Sequence, residues 1–192
     1  MSKGERTKQL IIERTRSLFA KKGYDMTKTS EIAKACNLSE AAVYKYFHSK
    51  KDLLIACVTP NEEQPPKQDA KELSTESLIK IYVKEKINWI EKHQEQLKIL
   101  LTESLHHHEL SDIYLQQIDQ ENGYEKEIIT RINKGEMKLI SDFLLFRLGF
   151  TSSVLSILNH ERISKKKYDL HFSEALKEEL TAFALYGLLG KK

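Results

Sequence analysis

Residues 23–54 read GYDMTKTSEIAKACNLSEAAVYKYFHSKKDLL, and this stretch decides how the chain folds. It carries helix stops and starts at close intervals. Gly23 sits where a C-cap glycine ends a first helix running from about Glu5 to Lys22. Thr27 is placed to cap a second helix that turns Ile32 and Ala33 inward. Asn37 follows Cys36 as a left-handed stop, because asparagine tolerates that conformation better than other residues with a side chain. Ser39 caps a third helix over Glu40 to Phe47. Ser49, with Asp52 three residues later, opens a fourth helix that Pro60 ends at the latest.

The second and third helices are joined by only Asn37-Leu38-Ser39, which is helix-turn-helix spacing. Ile32, Ala33, Leu38, Val43 and Phe47 supply a small core that fixes the angle between them. Val43 and Phe47, four apart, share the inward face. At about 100° per residue, Ala41 and Lys45 point outward, with Glu40 and Tyr44 on one flank and Ala42 and Tyr46 on the other.

Outside this stretch the chain also reads as helix. It has 192 residues with only 7 Gly and 3 Pro, and 31% of them are charged, a composition short of turns and rich in helix formers. Residues 59–74 hold all three prolines and read as a loop or linker. Ile79, Val83, Ile87 and Ile90 then form one stripe, flanked by Leu78, Tyr82 and Trp89. Leu97, Leu100, Leu101 and Leu105 form another. Residues 113–132 show a long helical pattern with a break near Gly123, and residues 137–157 are dense in Leu and Phe. Ser173 caps a last helix ending at Gly187 or Gly190. No strand alternation appears, so the fold class is all-α.

Charge is unevenly spread. Residues 1–58 hold 12 Lys and Arg against 6 Asp and Glu, leaving 19 and 22 of the chain's 31 and 28 for the rest. A basic N-terminal module on a mildly acidic body is the footprint of a nucleic-acid binder. Cys36 and Cys57 lie among apolar residues with no CxxC pair, as expected of free thiols in a reducing cytosol. No signal peptide is visible. The apolar run 143–150 is broken by Arg147 and is too short to span a bilayer.

Gly-Tyr, Thr, Ile-Ala, Leu-Ser, Tyr-x-x-Phe and Ser-Lys-x-x-Leu-Leu occur here in order within residues 23–54. In this the N-terminal 5–58 closely resembles the DNA-binding domain of TetR-family transcriptional regulators. The resemblance implies an all-helical homodimer. Residues 1–58 would form the helix-turn-helix DNA-binding domain, and residues 75–192 a larger ligand-binding and dimerisation domain. It departs from the family pattern at Asn37, where Gly is usual, at Val43, where Leu is usual, and in the short fourth helix.

By this resemblance the third helix enters the major groove. Tyr44 offers a hydroxyl on a rigid ring to a phosphate, and Lys50 offers charge at a helix start. Thr29 and Ser30 are similarly placed at the start of the second helix. Ala41 and Ala42 allow close approach and methyl contact with thymine, Lys45 can donate to guanine, and Tyr46 can reach a base edge or phosphate. Glu40 can accept from cytosine or support the helix N-terminus. With Ser39 at the helix start, these residues are the DNA-contacting candidates.

Tyr82, Trp89, Phe143 and Phe146 are the candidates for lining an apolar effector pocket, with plain core as the alternative. Phe150-Val154-Leu158 and Leu180-Ala184-Leu188 are one-sided stripes suited to a subunit interface or to packing inside one subunit. His106, His107 and His108, taken as consecutive helical residues, fan over roughly 200° and cannot converge on one metal. No catalytic triad, paired-carboxylate site or phosphate loop stands out, so neither an enzyme nor a cofactor is expected. The expected protein is a cytoplasmic, ligand-responsive repressor that binds a near-palindromic operator. Its partners are double-stranded DNA, a second copy and a small-molecule inducer, with no membrane. The rival reading is a helical protein-interaction module with a relic DNA motif.

Overall fold

A computed structural model describes residues 1–59, 69–119, 123–168 and 172–190; of residues 117–119 and 161–168 it describes the backbone only. Among the described residues there are ten α-helices, one short 3-10 turn and no strand. No helix among them is long and apolar enough to cross a membrane. The chain forms two compact units, one of residues 1–61 and 95–117, the other of 62–94 and 118–192.

In the first unit, α1 (Lys3–Lys22) starts in a reciprocal cap between Ser2 and Glu5. It ends at Gly23, whose φ of 84° a residue with a Cβ rarely adopts. α2 (Thr29–Ala35) begins one residue later than Thr27 capping requires. Lys28 occupies the N-cap, and Glu31 reaches back to its N–H at 3.2 Å. Thr27 is instead buried, and its hydroxyl donates to the Gly23 carbonyl at 2.8 Å, closing the α1–α2 turn.

α2 ends in a Schellman motif. The Leu38 N–H donates to the Ala33 carbonyl at 2.9 Å and the Asn37 N–H to Lys34 at 3.1 Å. Asn37 takes the left-handed φ of 55° that this geometry demands. α3 (Glu40–Tyr44) is shorter than its sequence pattern. Beyond it the Tyr46 and Phe47 N–H groups still bond the Val43 carbonyl, so turns carry Phe47 into the core. α4 (Lys50–Val58) starts at Ser49, whose hydroxyl accepts from the Asp52 N–H at 2.9 Å.

The surprise in this unit is what closes its core. Ile11, Phe19, Ile32, Val43, Phe47, Leu53 and Leu54 pack together with Ile99, Leu100 and Leu110. Those last three come from α6 (Gln94–Glu103) and α7 (His108–Asp119). Residues 95–117 thus belong structurally with the N-terminal helices, although the sequence reading placed them in the 75–192 body. The buried Gln96 side chain also donates to the Val58 carbonyl at 2.6 Å, satisfying the end of α4.

In the second unit, α5 (Thr75–Lys92) packs on α8 (Gly123–Asn133), α9 (Phe143–Tyr168) and α10 (Glu174–Leu189). Neighbours on several sides explain why Leu78, Ile79, Tyr82, Val83, Ile87 and Ile90 are all buried. Ser173 caps α10 and Gly190 ends it in a left-handed conformation. Pro60, Pro65 and Pro66 lie outside the described residues.

Candidate nucleic-acid interface

Ser39 fixes where α3 starts, and Val43 and Phe47 fix which way it faces. The Ser39 hydroxyl accepts from the Ala42 N–H at 3.1 Å. Val43 and Phe47 are 1% and 5% exposed. The opposite face is therefore solvent-exposed, and it holds Glu40, Ala41, Tyr44 and Lys45. Ala42 and Tyr46 are half-buried, and Tyr46 leans on the hydrophobic core. Ser39 has a structural duty as the cap.

Two of the flanking candidates are tied to named partners. The Thr29 hydroxyl and the Tyr44 hydroxyl are 3.2 Å apart, so the start of α2 and the end of α3 present one joined polar edge. Ser30 lies exposed beside Thr29. Lys50, the first residue of α4, holds its ammonium 4.2 Å above the Tyr24 ring. This cation–π contact orients a flexible chain without neutralising it. Tyr24 was not among the candidates, although its Gly-Tyr signal was in plain view.

Other charges near this face are already paired. Lys22 bonds Glu31, and Lys51 bonds Glu109 at 2.6 Å. Hydrogen bonding to Lys22, then to the Lys28 N–H, holds the Glu31 carboxyl below its ordinary range. The bond to Glu109 raises the Lys51 ammonium in turn. Among the described residues no ion pair involves Lys45 or Lys50.

The α6–α7 junction packs on the α1–α2 turn. The buried Glu103 carboxylate accepts from the Tyr24 N–H at 3.0 Å, and the His107 ring meets the Tyr24 ring edge-on at 5.3 Å. The three histidines do not lie on one helix. His106 is in a turn, His107 precedes α7 and His108 is its first residue.

Of the effector-pocket candidates, Tyr82 and Phe143 are buried with ring centroids 5.6 Å apart. Phe146 stacks on Phe150 at 5.3 Å, and Trp89 lies against His93. A groove of about 380 Å³ between α5 and α10 contains none of these four; it is lined by Lys80, Lys84, Glu178, Leu185 and Tyr186, among others. Phe150, Val154, Ala184 and Leu188 pack inside the unit. Among the described side chains of α9 and α10, the large apolar ones that are exposed are instead Leu144, Leu145, Phe183 and Tyr186.

Against known proteins, residues 11–57 match the family model described as bacterial regulatory proteins, tetR family. The chain carries a TetR-family N-terminal domain. It is 24% identical over 160 residues to the HTH-type transcriptional regulator YerO of Bacillus subtilis (strain 168), covering 79% of this chain. It spans only 55% of that relative's length. Over 46 residues, 24% of this chain and 25% of the relative, it is 44% identical to IcaR of Staphylococcus aureus, a negative transcriptional regulator of the biofilm operon icaADBC. A solved HlyIIR mutant shares the fold at a TM-score of 0.70, with 18% identity and 97% of each chain covered. Salmonella enterica GusR does so at 0.67, with 18% identity, covering 100% of this chain and 99% of that one.

The matched TetR-family segment begins at Ile11 and ends at Cys57, both buried in the first unit's core. The helices that close that core from residues 95–117 fall outside it.

Proposed function

We propose that the protein is a ligand-responsive transcriptional repressor that binds a near-palindromic DNA operator as a homodimer. One observation carries this reading. A five-residue helix, fixed by Ser39 and anchored by Val43 and Phe47, shows solvent a face of Ala41, Tyr44 and Lys45, with Thr29 and Lys50 at its edges. Short side chains at the middle let a helix approach base edges, and hydroxyl and ammonium groups at the margins suit phosphates. In this reading Glu40, Ala42 and Tyr46 border the contact, and Ser30 joins Thr29 at the backbone.

Pairing of two subunits is supported by the exposed Leu144, Leu145, Phe183 and Tyr186, a costly set to leave in water. A symmetric dimer reads two half-sites related by a two-fold axis, their spacing set by successive major grooves. A ligand that favours a different spacing then releases DNA.

The test is selection of bound sequences from a random double-stranded pool using the purified full chain. The expected product is an inverted repeat, bound less tightly as salt rises. Failure to retain any duplex at low salt refutes the proposal, and recovery of a single unrepeated site refutes the dimer.

A further inference from the structure

Tyr24 stands between the helix-turn-helix and a segment far along the chain. Its ring centre is 4.2 Å from the Lys50 ammonium at the start of α4. The same ring meets Phe19 of α1 edge-on at 5.5 Å and His107 edge-on at 5.3 Å. Its N–H donates to the Glu103 carboxylate at 3.0 Å, across 79 positions of sequence. Its carbonyl accepts from the Thr27 N–H at 3.2 Å. Ring and backbone are thus both held, and every one of these partners belongs to the first unit.

Glu103 and His107 reach Tyr24 from one helix end. The Glu103 backbone carbonyl closes α6 by accepting from the His106 and His107 N–H groups at 3.0 and 2.9 Å. Its side chain is buried, and a carboxylate out of water needs a donor, which the Tyr24 N–H supplies. Glu109 of α7 holds Lys51, the neighbour of Lys50, at 2.6 Å. That pair is exposed, so solvent and salt leave it little weight. The contacts through Tyr24 are the sheltered ones.

Lys50 differs in this from Lys45, which is fully exposed on α3, whereas Lys50 is half-buried. A free lysine loses rotamer freedom when it grips a phosphate. One already laid on an aromatic face has less to lose. The ring removes no charge, and an ammonium has three donors, so it can still turn N–H groups to a phosphate.

We propose that Tyr24 is a positioning residue for DNA binding. It sets Lys50 for a phosphate, and Glu103 and His107 of the α6–α7 junction set Tyr24. Residues 95–117, outside the matched family segment, thereby tune DNA affinity without touching DNA. The inference rests on the reading of Lys50 as a phosphate contact.

A phosphate contact is blind to sequence, so the probe is a fluorescein-labelled duplex of mixed sequence at low salt, titrated with the full chain and followed by anisotropy. Tyr24→Leu should weaken binding by about 2–5-fold, the range of an exposed cation–π contact. Tyr24→Phe keeps the ring and should bind as the wild type does. In a Lys50→Ala background Tyr24→Leu should cost nothing further, whereas general damage to the fold would cost as much as before. His107→Ala should weaken binding by about 2-fold, and His107→Phe, which restores a ring edge, should recover it. Glu103→Leu should weaken binding too, while Glu103→Gln keeps an acceptor for the Tyr24 N–H and should not. Circular dichroism checks that each variant is folded; if Tyr24→Leu is not, His107→Ala and His107→Phe in both backgrounds decide.

The proposal is overturned if folded Tyr24→Leu binds as tightly as the wild type or more tightly. It is equally overturned if Tyr24→Leu loses as much with Lys50→Ala as without it. In that second case a weakening by Lys50→Ala alone keeps Lys50 as a contact and removes only its positioning. If Lys50→Ala leaves binding unchanged, the reading of Lys50 fails and the proposal falls with it.

Discussion

Asn37 offers a substitution whose cost can be worked from one dihedral angle. Its φ is 55° and its side chain is exposed, so replacing it alters backbone strain with almost no change in packing. A residue with a Cβ loses roughly 1–2 kcal/mol in the left-handed region, and asparagine recovers part of that through local hydrogen bonding. Asn37→Ala is therefore expected to destabilise by about 1 kcal/mol, and the β-branched Asn37→Val by about 2 kcal/mol. Asn37→Gly removes the strain but frees the unfolded chain by about 0.4–1 kcal/mol, leaving it close to the natural sequence. The assay is urea unfolding followed by far-ultraviolet circular dichroism, because Trp89 lies in the other unit and does not report this turn. Hydrogen exchange at the Leu38 amide, bonded to Ala33, localises the effect. Equal midpoints for the Ala, Val and Gly variants would show that the left-handed turn contributes nothing, and the reasoning would fail.

Tyr44→Phe removes only the exposed bond to Thr29, so stability should move by less than about 0.5 kcal/mol, while affinity for every duplex falls several-fold in fluorescence anisotropy. Lys50→Ala should lower the salt dependence of binding by about one unit of log–log slope, measured over a salt titration. Burial pushes the Cys57 thiol from 9.0 up to about 12. The unfolded chain thus sheds this proton first, and the contribution present below pH 9 is lost as pH rises toward 12. Cys57→Ala should flatten that fall by up to about 1.4 kcal/mol per pH unit, read from urea midpoints across the range. Arg131, buried and bonded to Glu127 and to the Ala70, Lys71 and Leu73 carbonyls, leaves them without a donor when changed to Met. A loss of about 3–5 kcal/mol is expected, seen as an earlier Trp89 unfolding transition.

Local chemistry was legible in the sequence because it is written within a few residues. Ser39, Ser49 and Ser173 cap helices as their positions imply, and Asn37 takes the left-handed turn. The exposed face of α3 follows from counting round the helix from Val43 and Phe47. Thr27 misled because a threonine hydroxyl can close a turn as readily as cap a helix. Long-range packing was not legible. Ile99 and Leu100 carry the same periodicity whichever unit they close, and Val154 and Ala184 look alike as interface or interior. Arg147 reads only as a break in an apolar run and Lys86 belongs to no motif, since pairing with Glu125 across three helices leaves no spacing signature.

The floor laid by Ile99, Leu100 and Leu110 has a consequence for how such proteins recombine. The boundary that matters for a transplant is not where the helix-turn-helix motif stops. A chimera made by joining residues 1–58 to a foreign body would strip Leu53, Leu54 and Val58 of their neighbours and leave the Val58 carbonyl without Gln96. Grafts that carry residues 95–117 along as a second, non-contiguous piece keep that seam intact, so the natural unit of exchange here is two segments rather than one.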